Sequence, residues 1–213
     1  REFVSPKGDL MPSVVLAMTG ASGAPYGLRL LQVLIRTGHD VHLLVSHAAT
    51  RVMAAEVRLD LDLKSFDPRV LLETQVRPVP GTTESPGRLW YHGLTDFSAP
   101  VASGSAPSAG MVICPCSMGT LAGVAQGISS NLIHRAADVH LKERRKLIVV
   151  PRETPLSMIH LENMQRLTAA GGIVLPAMPG FYHQPQSIDD LVDFVVGRIC
   201  DQLQLGISLT PRW

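Results

Sequence analysis

Net charge is almost absent from this chain: 19 Lys and Arg stand against 18 Asp and Glu, a formal charge of +1. No global field gathers nucleic acid or an anionic membrane surface, so any anion must be met locally. Cysteine is sparse too. Cys114, Cys116 and Cys200 form neither an even set nor a Cys-x-x-Cys pair, which points to a reducing cytoplasm. No apolar run reaches the roughly twenty residues of a membrane span, and no charged-then-apolar leader opens the sequence. Aromatic residues are few.

Apolar residues are what the chain has in quantity. At 46% of 213 residues they can fill a sizeable core, most simply that of one domain. Residues 1–12 read as an irregular N-terminal segment outside the fold, 13–205 as the domain and 206–213 as a C-terminal tail. Unalternating apolar runs of strand length recur at Val14 to Met18, Val41 to Val45, Met111 to Cys114, Leu147 to Val150 and Ile173 to Leu175. Between them lie helical patterns at Ala24 to Thr37, Ala48 to Leu59, Gly119 to Ala125, Ile133 to Glu143, Ser157 to Ala170 and Ser187 to Leu203. Such alternation predicts an α/β fold, a Rossmann-like or flavodoxin-like parallel sheet with helices on both faces. Ligands of these sheets gather at the carboxyl ends of the strands.

The unusual residues fall at those ends. The first strand breaks into Thr19-Gly-Ala-Ser-Gly-Ala24, a glycine turn whose free N–H groups at a helix start suit a phosphate. The run lacks the third glycine of the dinucleotide fingerprint, and Ser46 stands where a ribose-binding acid is expected. Read as a hydrolase elbow, it fails at its last position, Ala24. After the third apolar run comes Pro115-Cys-Ser-Met-Gly-Thr120. Its Ser117 and Thr120 suit a phosphate, a ribityl chain or a ring carbonyl, or Ser117 is an ordinary helix cap. Cys114 and Cys116 lack a second Cys/His pair to complete a metal site.

Arg135 and Lys142 lie seven residues apart, two helical turns, and so share a face. Either this is a solvated basic face, or Arg135, set among Ala, Ile and Val, has an anion or a carboxylate for a partner. Arg152 and Glu153 sit in the stiff turn Pro151-Arg-Glu-Thr-Pro155, as a structural pair or as a proton-handling carboxylate with its guanidinium. Tyr182, His183 and Arg198 follow the last strand, and His160 and His183 are candidate bases or ligands, or structural. Between Asp60 and Pro107 the rhythm breaks. There Pro78 to Gly87 reads as a surface loop, and the small-residue run Ala99 to Pro107 as a site wall or a linker.

Taken in order, these motifs resemble the UbiX-type flavin prenyltransferases from Val14 to about Leu203. The match adds Ala102-Ser-Gly-Ser105, the Asn131 to Arg145 stretch, His160-Leu-Glu-Asn-Met164 and Pro179-Gly-Phe-Tyr-His-Gln-Pro185. The resemblance implies a homododecamer that joins the dimethylallyl group of dimethylallyl phosphate to N5 and C6 of reduced FMN, between subunits and without a metal. Its product serves a UbiD-type decarboxylase in ubiquinone synthesis or aromatic-acid decarboxylation. Carried onto this sequence, Gly20, Ala21, Ser22, Ser46, Ser117, Met118, Gly119, Thr120 and Arg152 meet FMN. Arg135, Lys142, Tyr182 and Arg198 hold the prenyl phosphate, and Phe97 walls the allylic cation. Glu56, Glu153, Lys142 and Ser22 carry the chemistry. Residues Asp60 to Arg88 carry no match to the family pattern. Other readings are an FMN carrier for a decarboxylase, which has no use for a second anion site, and a flavin-dependent cysteine decarboxylase, which needs a catalytic His and its own Asn-containing motif. A nicotinamide-dependent reductase ranks below both, for want of its ribose acid.

Overall fold

The computed structural model describes residues 13–211, so the reading of 1–12 as an irregular N-terminal segment lies outside the described residues, as do the last two positions of the tail. Six strands form one parallel sheet: β1 (Val14–Met18), β2 (Val41–Val45), β3 (Leu89–His92), β4 (Gly110–Cys116), β5 (Leu147–Pro151) and β6 (Ile173–Val174). Their spatial order is β3-β2-β1-β4-β5-β6, the doubly wound Rossmann order. It reverses direction between β1 and β4, and the crevice at that switch point is where such sheets take ligands.

Helices cover both faces, as continuous apolar strands require. Along β1, Val14, Leu16 and Met18 point into one core with α1 (Ala24–Arg36), α2 (His47–Val57), α3 (Val70–Glu73) and α7 (Ile188–Leu203). Val15 and Ala17 point into the other, with α4 (Met118–Ala125), α5 (Leu132–Lys142) and α6 (Met158–Ala169). Leu16 and Met18 are fully buried, and burial of each such side chain contributes about 1.5–3 kcal/mol.

All five strands expected from the sequence are present, and each expected helix is found with its ends shifted by a residue or two. The stretch without rhythm holds more structure than its composition announces: α3, β3 and a short 3₁₀ turn at Pro100–Ala102. β3 escapes detection for a physical reason. It is an edge strand, none of whose residues is fully buried, so Leu89-Trp-Tyr-His92 has no continuous apolar run.

Burial holds the imidazoles of His39, His42, His92, His134 and His140 below their ordinary pKa of 6.5. His42 Nδ1 and His92 Nε2, 2.9 Å apart, can share one proton but not hold two. The unfolded chain therefore binds protons near pH 6.5 that the folded chain refuses, and stability must fall as pH drops through that value. Thermal melts from pH 7.5 down to 5.5 should show a falling midpoint; a flat or rising profile would contradict this account of the histidines.

Candidate active site at the sheet switch point

Thr19 joins the two turns that flank the switch point. Its hydroxyl donates to the Pro115 carbonyl at 2.9 Å and accepts from the Ser117 amide at 2.8 Å, so the β1 and β4 turns move as one unit. Gly20 is required beside it, because a Cβ there would overlap that of Ala48 on α2.

The start of α1 departs from the expectation of free N–H groups awaiting a phosphate. Glu56 reaches across from α2, and its carboxylate accepts from Gly23 N at 2.9 Å and Ala24 N at 2.8 Å. The anion at this helix end is the protein's own carboxylate, with the partial positive charge of the helix end behind it. Ser22, next in the turn, is part-exposed. Glu56 is thus fixed at the crevice instead of being free to swing.

Two of the three serines assigned to the flavin, Ser46 and Ser117, cap helices. Ser46 Oγ accepts from Ala49 N, and Ser117 Oγ accepts from Thr120 N while lying 3.0 Å from Thr120 Oγ1. Capping uses an oxygen lone pair, which leaves the Ser46 hydroxyl proton available to a ligand, while the Ser117–Thr120 hydroxyl pair uses one proton between its members and keeps one to offer. Met118 and Gly119 form the first turn of α4 between them.

From β5, Arg152 and Glu153 line a cavity of about 220 Å³ with Leu156, Met164, Pro176 and Met178. The walls are largely apolar, and Arg152 Nε is buried without a hydrogen-bond partner. An orphaned guanidinium nitrogen beside an apolar slot fits a flat, polar-edged ring system. Tyr26 on α1, which the sequence reading passes over, ties this side to the Glu56 turn. Burial raises its phenol above the ordinary value, with the Arg152 guanidinium opposing and the Glu56 carboxylate adding to the rise. Burial likewise pushes the Cys116 thiol up to about 12 and Cys114 higher still, so both stand as neutral thiols at neutral pH.

The four residues expected to hold the prenyl phosphate do not meet within one subunit. Arg135 and Lys142 lie on α5, whereas Tyr182 follows β6 and Arg198 lies on α7, on the opposite face of the sheet. Arg135 has the carboxylate partner its surroundings demanded, Asp138 at 2.8 Å, and also donates to the Ala102 carbonyl at 3.1 Å. Lys142 pairs with Glu143. Tyr182 and Arg198 share a cavity of about 510 Å³ with Phe194, Asp201 and the 207–211 segment, and Arg198 pairs with Asp201 at 2.7 Å. Phe97, 48% exposed, stands on the turn after β3.

Neither histidine considered as a base sits as one. His160 closes a capping box with Ser157 at the start of α6. His183 stacks on Phe194, centroids 5.3 Å apart, with both ring nitrogens buried and unpaired. Among the described residues no group of three or more His, Cys, Asp or Glu could hold a metal ion.

The Flavoprotein family model matches residues 5–200. Flavin prenyltransferase UbiX of Pseudomonas aeruginosa is 52% identical over 200 residues, 94% of this chain and 93% of that protein. The protein of the same name from Alkalihalophilus pseudofirmus is 50% identical over 200 residues, 94% and 95% of the two chains. Among solved structures, AnUbiX in complex with FMN and dimethylallyl pyrophosphate superposes with a TM-score of 0.81 at 39% identity, covering 95% of this chain and 97% of that one. A dodecameric FMN-dependent UbiX-like decarboxylase from Escherichia coli O157:H7 gives 0.79 at 39% identity, covering 94% and 98%. The FMN-dependent cysteine decarboxylase of thioviridamide biosynthesis, 16% identical at TM-score 0.55, shares the fold alone. The chain belongs to the flavoprotein family and, within it, to the UbiX-type flavin prenyltransferases.

Proposed function

We propose that this protein transfers a dimethylallyl group from dimethylallyl phosphate to reduced FMN, forming bonds at N5 and C6, and that the product serves a UbiD-type decarboxylase in the cytoplasm. The observation that carries the reading is the pairing of a largely apolar cavity beside Arg152 and Glu153 with part-exposed cations on both faces of the sheet. A flavin carrier has no task for those cations.

Their separation across the sheet supports an intersubunit site in a homo-oligomer, with the dodecamer as the expected form: Tyr182 and Arg198 of one copy face Arg135 and Lys142 of the next. Reduced FMN, when bound, supplies the nucleophilic N5 and then the ring carbon C6. Arg152, Ser46 and Ser117 to Thr120 bind and orient the flavin beside the Gly20 to Ser22 turn. The two cation sets neutralise charge as it grows on the departing phosphate, which lowers the barrier to breaking the allylic C–O bond. Leu156, Met164 and Met178 keep water from the allylic carbon, and Phe97 offers it an aromatic face. Glu153 moves the proton at the ring being closed, while Glu56 anchors the turn that carries Ser22.

The direct test is to mix the protein anaerobically with reduced FMN and dimethylallyl phosphate, quench, and weigh the flavin. A gain of one isoprenyl unit supports the reading; unmodified FMN, with the diphosphate donor also tried, overturns it. Arg198→Ala should cut kcat/KM for the donor roughly 10- to 100-fold, the worth of a charged hydrogen bond of about 1.5–3 kcal/mol, at unchanged FMN affinity. Unchanged steady-state kinetics in that variant would return Arg198 to a plain surface pairing with Asp201.

A further inference from the structure

The segment 102–108, which runs into β4, is gripped at every second residue by side chains from α5 and its C-terminal turn. Arg135 Nε donates to the Ala102 carbonyl at 3.1 Å. Arg145 spans two more, donating from Nη2 to the Gly104 carbonyl and from Nη1 to the Ala106 carbonyl at 2.6 Å. At position 108 the contact passes through a buried imidazole. His140 Nδ1 donates to the Ala136 carbonyl at 2.7 Å, so its Nε2 accepts the Ser108 hydroxyl at 2.8 Å.

Arg145 reaches back because of the turn that ends α5. Arg144 takes the left-handed conformation, φ 57°, uncommon for a residue with a side chain, and the Arg145 amide then bonds the His140 carbonyl at 2.8 Å. The guanidinium is part-buried beneath the segment, outside the ring of groups assigned to either substrate.

The grip matters because Lys142 rests on the segment it holds. A Cβ on Gly104 would stand 2.8 Å from Lys142 Nζ and would overlap the Glu143 carboxylate. The Gly104 backbone is therefore the floor on which the Lys142–Glu143 pair sits. Moving that floor moves the ammonium.

We propose that Arg145 is a positioning residue for prenyl-donor binding: by clamping the Gly104 and Ala106 carbonyls, it fixes the surface that sets the place of the Lys142 ammonium. This rests on the reading of Lys142 as a donor-phosphate ligand. Arg suits the task better than Lys, because its planar fork serves two carbonyls from one rigid group.

The test uses the full-length oligomer and measures donor kcat and KM, FMN affinity and melting temperature for wild type, Arg145→Ala, Arg145→Lys, Gly104→Ala and Lys142→Ala. Arg145→Ala and Gly104→Ala should each raise the KM for dimethylallyl phosphate about tenfold or more, since displacing a binding group by an ångström is felt on that scale or above. FMN affinity should stay within about twofold, and Arg145→Lys should recover part of the loss. Gly104→Ala displaces Lys142 while keeping the Arg145 side chain, so the result does not depend on how well Arg145→Ala folds. Unchanged donor KM in both variants overturns the proposal, as does a KM rise accompanied by an equal loss of FMN affinity. If Lys142→Ala leaves donor KM unaltered, or wild type makes no prenylated flavin, the parent reading fails instead.

Discussion

Glu153→Gln is expected to bind FMN as wild type does and to lose turnover by roughly 10²–10⁴-fold, the usual worth of a positioned proton-transfer group. The substitution keeps the size of the side chain and the oxygen that accepts from Thr154 N at 3.2 Å. What is removed is the negative charge and, with it, the capacity to take a proton. Glu153 stands at the carboxyl end of β5 with Arg152 as its neighbour on the cavity wall, and prolines on either side, Pro151 and Pro155, limit how far the turn can yield. Flavin titration and single-turnover mass analysis of the same preparation separate the two effects. Full turnover would remove Glu153 from the mechanism. Loss of FMN binding at wild-type rates per bound flavin would make it a binding residue.

Glu56 is a less telling target than Glu153. Its carboxylate bonds Gly23 and Ala24 and caps α1, so its removal would disturb the β1 turn together with any chemistry. Sequence pattern gives no hint of that contact, because the partners are more than thirty positions apart and nothing local to residue 56 requires a distant helix end. The turns themselves were readable. Gly20 to Ala24, Ser117 to Thr120 and Arg152-Glu153 each follow a fully buried strand, and a parallel sheet delivers the ends of such strands to one edge.

Arg135 marks the border of what could be read. Its apolar neighbours demanded a partner, and Asp138, one turn on, supplies it; the second partner, the Ala102 carbonyl, depends on how the segment before β4 is folded. Nor does a linear sequence say which face of a sheet a helix covers. Placing α5 and α7 on opposite faces takes the chain's crossovers, and it turns four residues that looked like one cluster into two half-sites.

Asp193→Ala should be the most destabilising single change at a charged position, lowering stability by about 3–5 kcal/mol, the scale for stranding a buried charge. Asp193, on α7, is bound by Arg29 of α1 through two contacts, Nε at 2.7 Å and Nη2 at 3.1 Å. Arg77, from the long excursion before β3, approaches the same carboxylate at 3.4 Å and Asp189 at an equal distance. The Arg29 side chain is 4% exposed. Without Asp193 its guanidinium keeps only the carbonyls of Arg77 and Pro78, which cannot neutralise its charge. At roughly 2–4 °C per kcal/mol for a chain of this size, the melting temperature should drop by about 6–20 °C. The mirror change, Arg29→Met, should cost less, because Arg77 remains to partner Asp193 and the thioether chain fills most of the vacated volume. A drop of under about 2 °C for Asp193→Ala, or a larger drop for Arg29→Met, would mean that apolar packing of α1 on α7 holds these helices and the ion pair does not. The network also gives the excursion from Asp60 to Arg88 a purpose, since Arg77 and Pro78 fasten it over the α1–α7 seam. Arg198 stands five residues further along the same helix, so the strength of the Arg29–Asp193 contact bears on the proposed donor site as well as on the fold.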